Sequence, residues 1–452
     1  MTSLIQEQTL FYSGMNDSKG YRIPSLITTQ KGTVIAGIDA RLYNQQDNPN
    51  KINICIRRSE DNGNTWSPIQ TVVAFPDEKL DSAAAVDSSL LQDEETGTIW
   101  LMYCHTPGGI GLWNSEPSVG FDLAGQRQLY DNKKQPYELE ENGEVRNTKR
   151  ELSRYTVDGD GSVFINGRKT GHIFEKIDES NKHLLVEAST SFLQLVKSED
   201  DGKTWSKPIE VNPHVKEDWM RFIGTGPGRG IQIKNGIYKG RLVFPIYFSN
   251  ESGRMSNAVA YSDDHGINWK RGSTPNDGRE VDGKILSAKT LTEETYELTE
   301  SQVIEHDDGT VECYVRNHFG NGTIARAVSE NGGETWGQLE FVEDLINPVC
   351  QTSVLTIPNS EKETTSILFL GAHSKTERKK GTIQLSEDSG KAWAYKKMIE
   401  PGAFSYSCMT LLKNNDVGIV YETQDEEGMV KIVFKRMGLE WIKNRFMGKL
   451  TR

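Results

Sequence analysis

Arginine side chains stand at the ends of several apolar, strand-like runs of this sequence. Arg22 begins such a run in GYRIPSLITT, Arg41 ends TVIAGIDAR, and Arg316 ends VECYVRN. Arg378 lies in the basic stretch HSKTERKKGT. A charge at the edge of an apolar run is costly unless it is paired. Because the formal net charge is −12, binding of an anion would need positive charge concentrated locally, and these arginines are the candidates.

Acidic side chains and a tyrosine accompany these arginines along the chain. Asp47 follows Arg41 by six residues, and Glu300 and Arg316 lie on two strand-like segments joined by the turn Asp307-Asp308-Gly309. The remaining candidates are Asp87 in AVDSSLL, Tyr406 in GAFSYSCMTLL and Glu422 at the end of VGIVYE. Taken singly, each has an ordinary interpretation as a turn, surface, core or ion-pair residue. Chemistry requires that the fold bring them together.

A repeated motif, Ser-x-Asp/Asn-x-Gly-x-x-Trp, predicts the elements that could do so. Its five copies span Ser59–Trp66, Ser198–Trp205, Ser262–Trp269, Ser329–Trp336 and Ser386–Trp393. Each follows a short alternating run that predicts a strand. The motif itself predicts a hairpin turn in which the Asp or Asn accepts from backbone amides two residues on and Gly supplies a positive φ. The Trp is expected to pack between neighbouring sheets.

The spacing of the copies predicts the architecture. Successive Ser positions after the second copy differ by 64, 67 and 57 residues, which suits four-stranded blades of a propeller, whereas the first gap is 139. Residues 107–187 are polar and contain a hairpin signal, DGDGSVFINGRKTG. We therefore predict an all-β fold, a six-bladed β-propeller formed by residues 1–106 and 188–452, with a small inserted β-rich subdomain at 107–187.

Composition narrows the classes of function. An acidic chain is a poor general binder of nucleic acid or anionic membranes. No run approaches membrane-spanning length, and the first residues lack the apolar core of a signal peptide. The five cysteines have no CxxC spacing and sit in apolar contexts, which predicts buried free thiols and no metal site.

These motifs together resemble the bacterial exo-sialidase (neuraminidase) family, and the resemblance covers essentially the whole chain. The repeats look like sialidase Asp-boxes, and Tyr21–Pro24 resembles the family's (F/Y)RIP motif. Arg-x5-Asp, Glu-Ser-Gln-Val with an arginine sixteen residues after the Glu, and Tyr-Ser follow in the family's order. The inserted segment resembles that of the large secreted enzymes of Gram-positive bacteria.

The resemblance implies a retaining glycoside hydrolase that acts on terminal sialic acid without a cofactor or metal. It implies that Tyr406 attacks the anomeric carbon, that Glu300 takes its proton, and that Asp47 protonates the leaving oxygen and then activates water. Three arginines hold the substrate carboxylate: Arg22, Arg316 and Arg378. We expect their positive field to lower the pKa of Tyr406.

Supporting roles follow from the same resemblance. Arg41 is expected near the 4-position of the sugar, Asp87 in the lining of the pocket, and Glu422 behind Arg22 as its ion-pair partner. The glycine-rich segment 224–231 looks like the loop near the N-acyl and glycerol side. Ahead of Arg378 the chain departs from the family's Ser-Asn-Pro-like stretch.

Two alternatives share these residues. An intramolecular trans-sialidase would release 2,7-anhydro-sialic acid if an aromatic lid from Trp113 or Phe404 restricted water, and a lectin would bind sialic acid without cleaving it. The expected partners are sialylated glycans of glycoproteins, gangliosides and oligosaccharides. The expected form is a monomer, and the resemblance implies a secreted or cell-surface location.

Overall fold

The computed structural model of the protein describes residues 6–76, 79–357 and 364–443, and its regular elements are almost all strands. Strand β1 is Gln6–Tyr12. Blade 1 consists of β2 (Gly20–Thr28), β3 (Val34–Arg41), β4 (Ile52–Ser59) and β5 (Gln70–Val73). Blade 2 begins with β6 (Ala84–Gln92) and β7 (Ile99–Thr106).

A separate sheet follows β7 before blade 2 resumes. Its strands are β8 (Arg127–Asp131), β9 (Pro136–Leu139), β10 (Glu144–Asn147), β11 (Leu152–Val157), β12 (Ser162–Ile165), β13 (Arg168–His172) and β14 (Leu185–Glu187). Blade 2 is completed by β15 (Phe192–Ser198) and β16 (Ile209–Glu210). A short helix, α1 (Asn212–Val215), leads to blade 3.

Blade 3 has an interrupted inner edge. Its strands are β17 (Ile223–Thr225), β19 (Ile231–Gln232), β20 (Leu242–Ser249), β21 (Met255–Ser262) and β22 (Lys270–Arg271). Between β17 and β19, β18 (Gly228–Arg229) pairs in parallel with β6 of blade 2. A hairpin of β23 (Glu280–Val281) and β24 (Lys284–Ile285) precedes blade 4.

The remaining blades are regular. Blade 4 contains β25 (Leu298–Glu305), β26 (Val311–Asn317), β27 (Thr323–Ser329) and β28 (Glu340–Ile346). Blade 5 contains β29 (Ser353–Ile357), β30 (Ser366–Ala372), β31 (Lys379–Ser386) and β32 (Tyr395–Ala403). Blade 6 contains β33 (Ser407–Leu411), β34 (Val417–Gln424) and β35 (Val430–Met437), and α2 (Leu439–Lys443) follows.

The ring is closed by the N-terminal strand, which completes the last blade. The strand order of blade 6 is β1-β35-β34-β33, with Phe11 opposite Ile432 in an antiparallel pair. Within the described residues the main core divides into six clusters, one between each pair of neighbouring blades. The predicted six-bladed all-β propeller is therefore confirmed.

The strands between β7 and β15 form a sheet of their own, in the order β13-β12-β11-β10-β9-β8-β14. Its core includes Leu129, Val145 and Tyr155. Glu187 at the end of β14 joins it to the propeller, because this carboxylate accepts from Arg127 and lies 2.8 Å from Nε2 of His105 on β7. The domain boundaries at 107 and 187 remain predictions.

The repeated motif forms the same turn at each copy. In the first copy the amide of Gly63 donates to the Ser59 hydroxyl at 2.8 Å, and the amide of Thr65 donates to Asp61 Oδ1 at 2.9 Å. Both bonds recur at 2.8–2.9 Å in the other four copies. The carboxylate thus reaches the amide four residues on, and the expected spacing of two was wrong. The cause is that Asn62 and Gly63, with φ of 56° and 83°, are both left-handed and curl the chain further.

The tryptophan of each motif packs against the preceding blade. The Trp66 ring of blade 1 lies 5.1 Å from the Phe434 ring of blade 6, and Trp393 of blade 5 lies 6.4 Å from Tyr314 of blade 4. A Cβ on Gly63 would lie 2.3 Å from Phe434, so glycine serves the close approach as well as the turn. The prediction that the tryptophans pack between sheets is confirmed.

The five cysteines are buried free thiols, as predicted. Across the described residues, no group of three or more His, Cys, Asp or Glu side chains could hold a metal ion. In the same ranges no helix has the length and apolarity needed to cross a membrane.

Candidate active site

A cavity of about 380 Å³ opens where the inner strands of several blades begin, and it collects eight of the predicted residues. These are Arg22, Arg41, Asp47, Asp87, Glu300, Arg316, Arg378 and Tyr406. Arg22 and Glu300 are the third residues of β2 and β25, and Tyr406 directly precedes β33. The ninth predicted residue, Glu422 near the end of β34, lies directly behind the cavity.

Tyr406, Glu300 and Arg316 form a hydrogen-bonded cluster at the bottom of the cavity. The Tyr406 hydroxyl donates to Glu300 Oε1 at 2.6 Å, and Arg316 Nη1 donates to Glu300 Oε2 at 2.7 Å. The same Nη1 lies 3.3 Å from the Tyr406 oxygen. Both Tyr406 and Glu300 are only 7% exposed. A phenol therefore has a carboxylate acceptor on one side and a guanidinium donor on the other.

The pKa of Tyr406 lies well above its usual value, so the expectation of a lowered pKa was wrong. Burial is the main cause, and the adjacent Glu300 carboxylate adds to it. Arg316 and Arg378 act in the opposite direction but are outweighed. The free protein consequently holds a neutral phenol at neutral pH, and its hydroxyl proton is directed at Glu300.

Glu422 supports the floor of the cavity through three hydrogen bonds from two residues. Its carboxylate accepts from Arg22 Nε at 3.2 Å and from Nη2 at 3.1 Å, and from the backbone amide of Ile23 at 2.7 Å. Burial alone would lower the pKa of Arg22, but Glu422 and Tyr406 outweigh it and raise that pKa. Ile23 has a φ of 61°, an unfavourable conformation for a β-branched residue that its bond to Glu422 helps to hold.

Asp47 stands at the mouth of the cavity on the loop after β3. Its Oδ1 lies 2.7 Å from Arg41 Nη2 and 4.0 Å from Arg22 Nη1, while 74% of the side chain stays exposed. Partial desolvation by the surrounding cavity acts to raise the pKa of Asp47, but Arg41 and Arg22 outweigh this effect, so the pKa is lowered. Asp47 is therefore ionised in the free protein at neutral pH.

A buried carboxyl group, Asp39, lies behind Arg41 and next to Asp87 of the cavity lining. Asp39 is fully buried, 3.7 Å from Arg41, and accepts from the amide of Asp87 at 2.9 Å. Burial raises the pKa of Asp39 to about 8, and the pKa of Asp87 is also raised by burial and by Asp39 and Glu300. The left-handed backbone of Asp87, with φ of 63°, is held by this bond.

Arg378 enters the cavity from the segment before β31. Its Nη2 donates to the carbonyl of Val349 at 3.3 Å, and its guanidinium lies 5.8 Å from the Tyr406 ring. Arg22 approaches the same ring at 5.5 Å. The departure of the sequence ahead of Arg378 therefore leaves this arginine beside the same ring.

Two neighbouring features serve packing. The glycine-rich segment 224–231 crosses between the inner edges of blades 2 and 3, where a Cβ on Gly226 would lie 2.5 Å from the carbonyl of Ser301. Its glycines therefore serve close packing. Phe404 is completely buried and stacks on Tyr421, so it forms no lid.

The sequence did not predict several residues that line the cavity. An apolar wall consists of Val86, Leu112, Phe222, Tyr247 and Met255, and polar groups come from Asn48, Glu294, Thr299 and His318. Apolar residues of this kind look like ordinary core residues in a sequence. Trp113, one of the two aromatic residues that could form a lid, lines the cavity but is 74% exposed.

Comparison with known proteins places this geometry in a family. The sequence profile of the BNR repeat-like domain matches residues 162–420. The chain is 28% identical over 92% of its length to the anhydrosialidase of Macrobdella decora, and 27% identical over 91% to a sialidase of Bacteroides fragilis. It covers 60% and 61% of those two proteins.

Among solved structures, the fold is similar to the intramolecular trans-sialidase of Ruminococcus gnavus in complex with oseltamivir carboxylate. The TM-score is 0.80 at 27% identity, and the alignment covers 96% of this chain and 98% of that one. The chain thus spans about three fifths of the length of these curated relatives and nearly all of this structural neighbour.

Proposed function

Because the chain belongs to the BNR repeat-like family and its relatives include sialidases, we propose that it is a retaining exo-α-sialidase. The observation that carries the proposal is the 2.6 Å bond from the Tyr406 hydroxyl to Glu300, beside a cluster of guanidinium groups. Most glycosidases use a pair of carboxylates, and sialidases are the exception that uses tyrosine. A phenol has the advantage that it is uncharged when an anionic substrate binds.

The substrate carboxylate is bound by the arginines. Sialic acid carries this group on its anomeric carbon, so Arg22, Arg316 and Arg378 hold the reacting carbon above Tyr406. Two of them, Arg22 and Arg378, already lie within 6 Å of the Tyr406 ring. Arg41 is left to contact the far side of the sugar, and Asp87 the lining beside it.

In the first step the Tyr406 oxygen attacks the anomeric carbon while its proton passes to Glu300 Oε1. The bond from the anomeric carbon to the leaving oxygen breaks, and that oxygen takes a proton from Asp47. In the second step Asp47 removes a proton from water, the water oxygen displaces Tyr406, and Glu300 returns its proton to the phenolate. Two displacements give retention of configuration.

Asp47 must gain a proton before the first step, although Arg41 lowers its pKa in the free protein. Substrate binding favours this protonation, because the substrate carboxylate neutralises part of the guanidinium charge that keeps Asp47 ionised. Binding of an anion therefore raises the pKa of Asp47 toward the range in which a general acid works. Acid catalysis is in this way coupled to occupation of the site.

The first test is a product assay with α2,3-sialyllactose and mass spectrometry of the released sugar. Free sialic acid is expected, and NMR of the freshly released sugar should show initial retention of configuration. A product lighter by one water would instead support an intramolecular trans-sialidase, the second candidate. Similarity to the Macrobdella anhydrosialidase and the Ruminococcus intramolecular trans-sialidase favours that outcome, whereas the 74% exposure of the Asp47 side chain favours access of water. NMR separates a 2,7-anhydro product from an unsaturated one.

The second test replaces Tyr406 by phenylalanine, which keeps the ring and removes the nucleophile. We expect kcat to fall by at least about a hundredfold while the melting temperature changes little, since one hydrogen bond is worth roughly 1 kcal/mol. Wild-type turnover by Tyr406→Phe would contradict the mechanism. Binding of sialyllactose by the native protein without any product would support a lectin instead.

The proposal extends to partners and place of action. Sialylated glycoproteins, gangliosides and oligosaccharides are the proposed substrates, and one chain contributes all the candidate residues, which is consistent with a monomer. Such glycans lie mainly outside cells, so secretion or a cell-surface location is proposed.

A further inference from the structure

The segment Ile110–Ser118, which follows β7 and which we call the arm, places an exposed tryptophan at the mouth of the cavity. Trp113 lines the cavity, yet 74% of its surface is exposed. Aromatic side chains beside a few convergent polar groups are common in the lining of ligand-binding pockets. The exposed face of Trp113 is therefore accessible to part of a bound ligand.

The arm packs directly on the loop that carries Asp47. A Cβ on Gly111 would lie 2.2 Å from the carbonyl oxygen of Asn48, so only glycine allows this approach. The amide of the Asn48 side chain also donates to the Thr106 hydroxyl at 2.8 Å, at the point where β7 ends and the arm begins. Asp47 and Trp113 therefore lie on two segments that contact each other, and both line the cavity.

The depth at which each catalytic candidate lies in the cavity indicates which part of the substrate would lie beside Trp113. Tyr406 and Glu300, which act on the sugar that is cleaved, are 7% exposed at the bottom. Asp47, which protonates the leaving oxygen, has 74% of its side chain exposed at the mouth. The leaving group attached to that oxygen must pass out of the cavity on the side of Asp47, which is the side of the arm.

The arm is held in place before any ligand arrives. Arg221 Nε donates to the carbonyl of Ser115 at 2.7 Å, and Nη2 donates to the carbonyl of Trp113 at 3.2 Å. The carbonyl of Arg221 in turn accepts from the buried Nζ of Lys216 at 2.9 Å. A prearranged surface loses less conformational entropy on binding than a flexible one.

We propose that Trp113 forms a subsite for the leaving group, in which the apolar face of a hexopyranose ring stacks on the indole, and that Arg221 is its positioning residue. The inference rests on the proposed sialidase function. An indole offers a flat apolar surface of pyranose size, and its exposure leaves that surface open for a sugar.

The test compares two substrates that differ only in the leaving group: 3′-sialyllactose, with a galactose ring next to the bond, and the methyl α-sialoside, with no ring. For Trp113→Ala we expect kcat/KM on sialyllactose to fall about tenfold, mainly through KM, and on the methyl sialoside by less than about twofold. The matched control is Ile267→Ala, since Ile267 is 79% exposed on a motif turn outside the cavity. It should change neither value.

If Trp113→Ala lowers kcat/KM equally on both substrates, Trp113 acts on the sialic acid itself and the subsite proposal is overturned. Unchanged kcat/KM on both substrates would overturn it as well. Arg221→Met should give the same selective rise in KM as Trp113→Ala, and Arg221→Lys should restore part of it. A loss on both substrates in Arg221→Met, with a lowered melting temperature, would assign Arg221 a structural role only. If the native protein cleaves neither substrate, the proposed function itself fails.

Discussion

Carboxylates neutralise three of the four guanidinium groups that surround the cavity. Arg22 pairs with Glu422, Arg41 with Asp47, and Arg316 with Glu300. Arg378 differs, because among the described residues no carboxylate lies within 4 Å of it and its nearest acceptor is the carbonyl of Val349. Among the four arginines, Arg378 therefore has the positive charge that is least compensated by protein carboxylates. We expect it to pair with the carboxylate of the proposed substrate.

Replacement of Asp47 by asparagine separates proton donation from binding. For lactose as leaving group we expect kcat to fall by about 10²-fold or more, because the alkoxide leaves poorly without a proton. For a 4-nitrophenyl sialoside the fall should be much smaller, because the nitrophenolate leaves without protonation. Steady-state kinetics on the two substrates checks this difference. Equal losses on both would contradict the role of Asp47 as general acid.

At the scale of single residues, the sequence could predict which side chains meet but not their electrostatics. The order of Arg22, Glu300 and Tyr406 was sufficient to place them in one cavity by resemblance. The raised pKa of Tyr406 was not predictable, because it depends on burial and on the distance to Glu300, which the sequence does not encode locally.

At the scale of elements, the motif turns predict a measurable difference between two glycines with similar backbone angles. Gly63, with φ of 83°, has Phe434 2.3 Å from the place of a Cβ, whereas Gly97, with φ of 79°, has nothing within 4 Å. Alanine at either position carries the cost of a left-handed backbone, about 1–2 kcal/mol. Only Gly63→Ala adds overpacking between blades 1 and 6, a further 1–3 kcal/mol or so.

Urea unfolding of the two variants checks this prediction. We expect Gly63→Ala to be the less stable by that additional amount, with an unchanged slope of free energy against urea. Equal destabilisation would mean that the contact with Phe434 relaxes without cost, and that glycine is needed there for the turn alone.

Elements with a repeated signal were the most predictable part of the fold. The motif turns and the six blades follow from spacing, since each copy reports the same local structure. The sequence could not predict how the glycine-rich segment 224–231 packs, because glycine serves close packing and ligand approach equally well. The sequence also left open whether Phe404 forms a lid, since only the fold reveals that Phe404 is buried and stacks on Tyr421.

At the scale of the whole molecule, β1 closes the ring, and we expect stability to depend on it. Phe11 is fully buried between blades 6 and 1, while its neighbour Tyr12 is 51% exposed. We expect Phe11→Ala to lower the free energy of unfolding by about 3–5 kcal/mol and Tyr12→Ala by less than about 1 kcal/mol. Thermal and urea unfolding measure both, and similar small losses would mean that β1 is not needed for closure.

The bond between Arg22 and Glu422 joins residues 400 positions apart. Because a chain emerges from the ribosome from its N-terminus, Arg22 is made long before its carboxylate partner and waits through the synthesis of four intervening blades. A nascent or prematurely terminated chain consequently has an open ring and lacks the carboxylate that orients Arg22. The anion site that we propose is therefore complete only after blade 6 has been made and has docked.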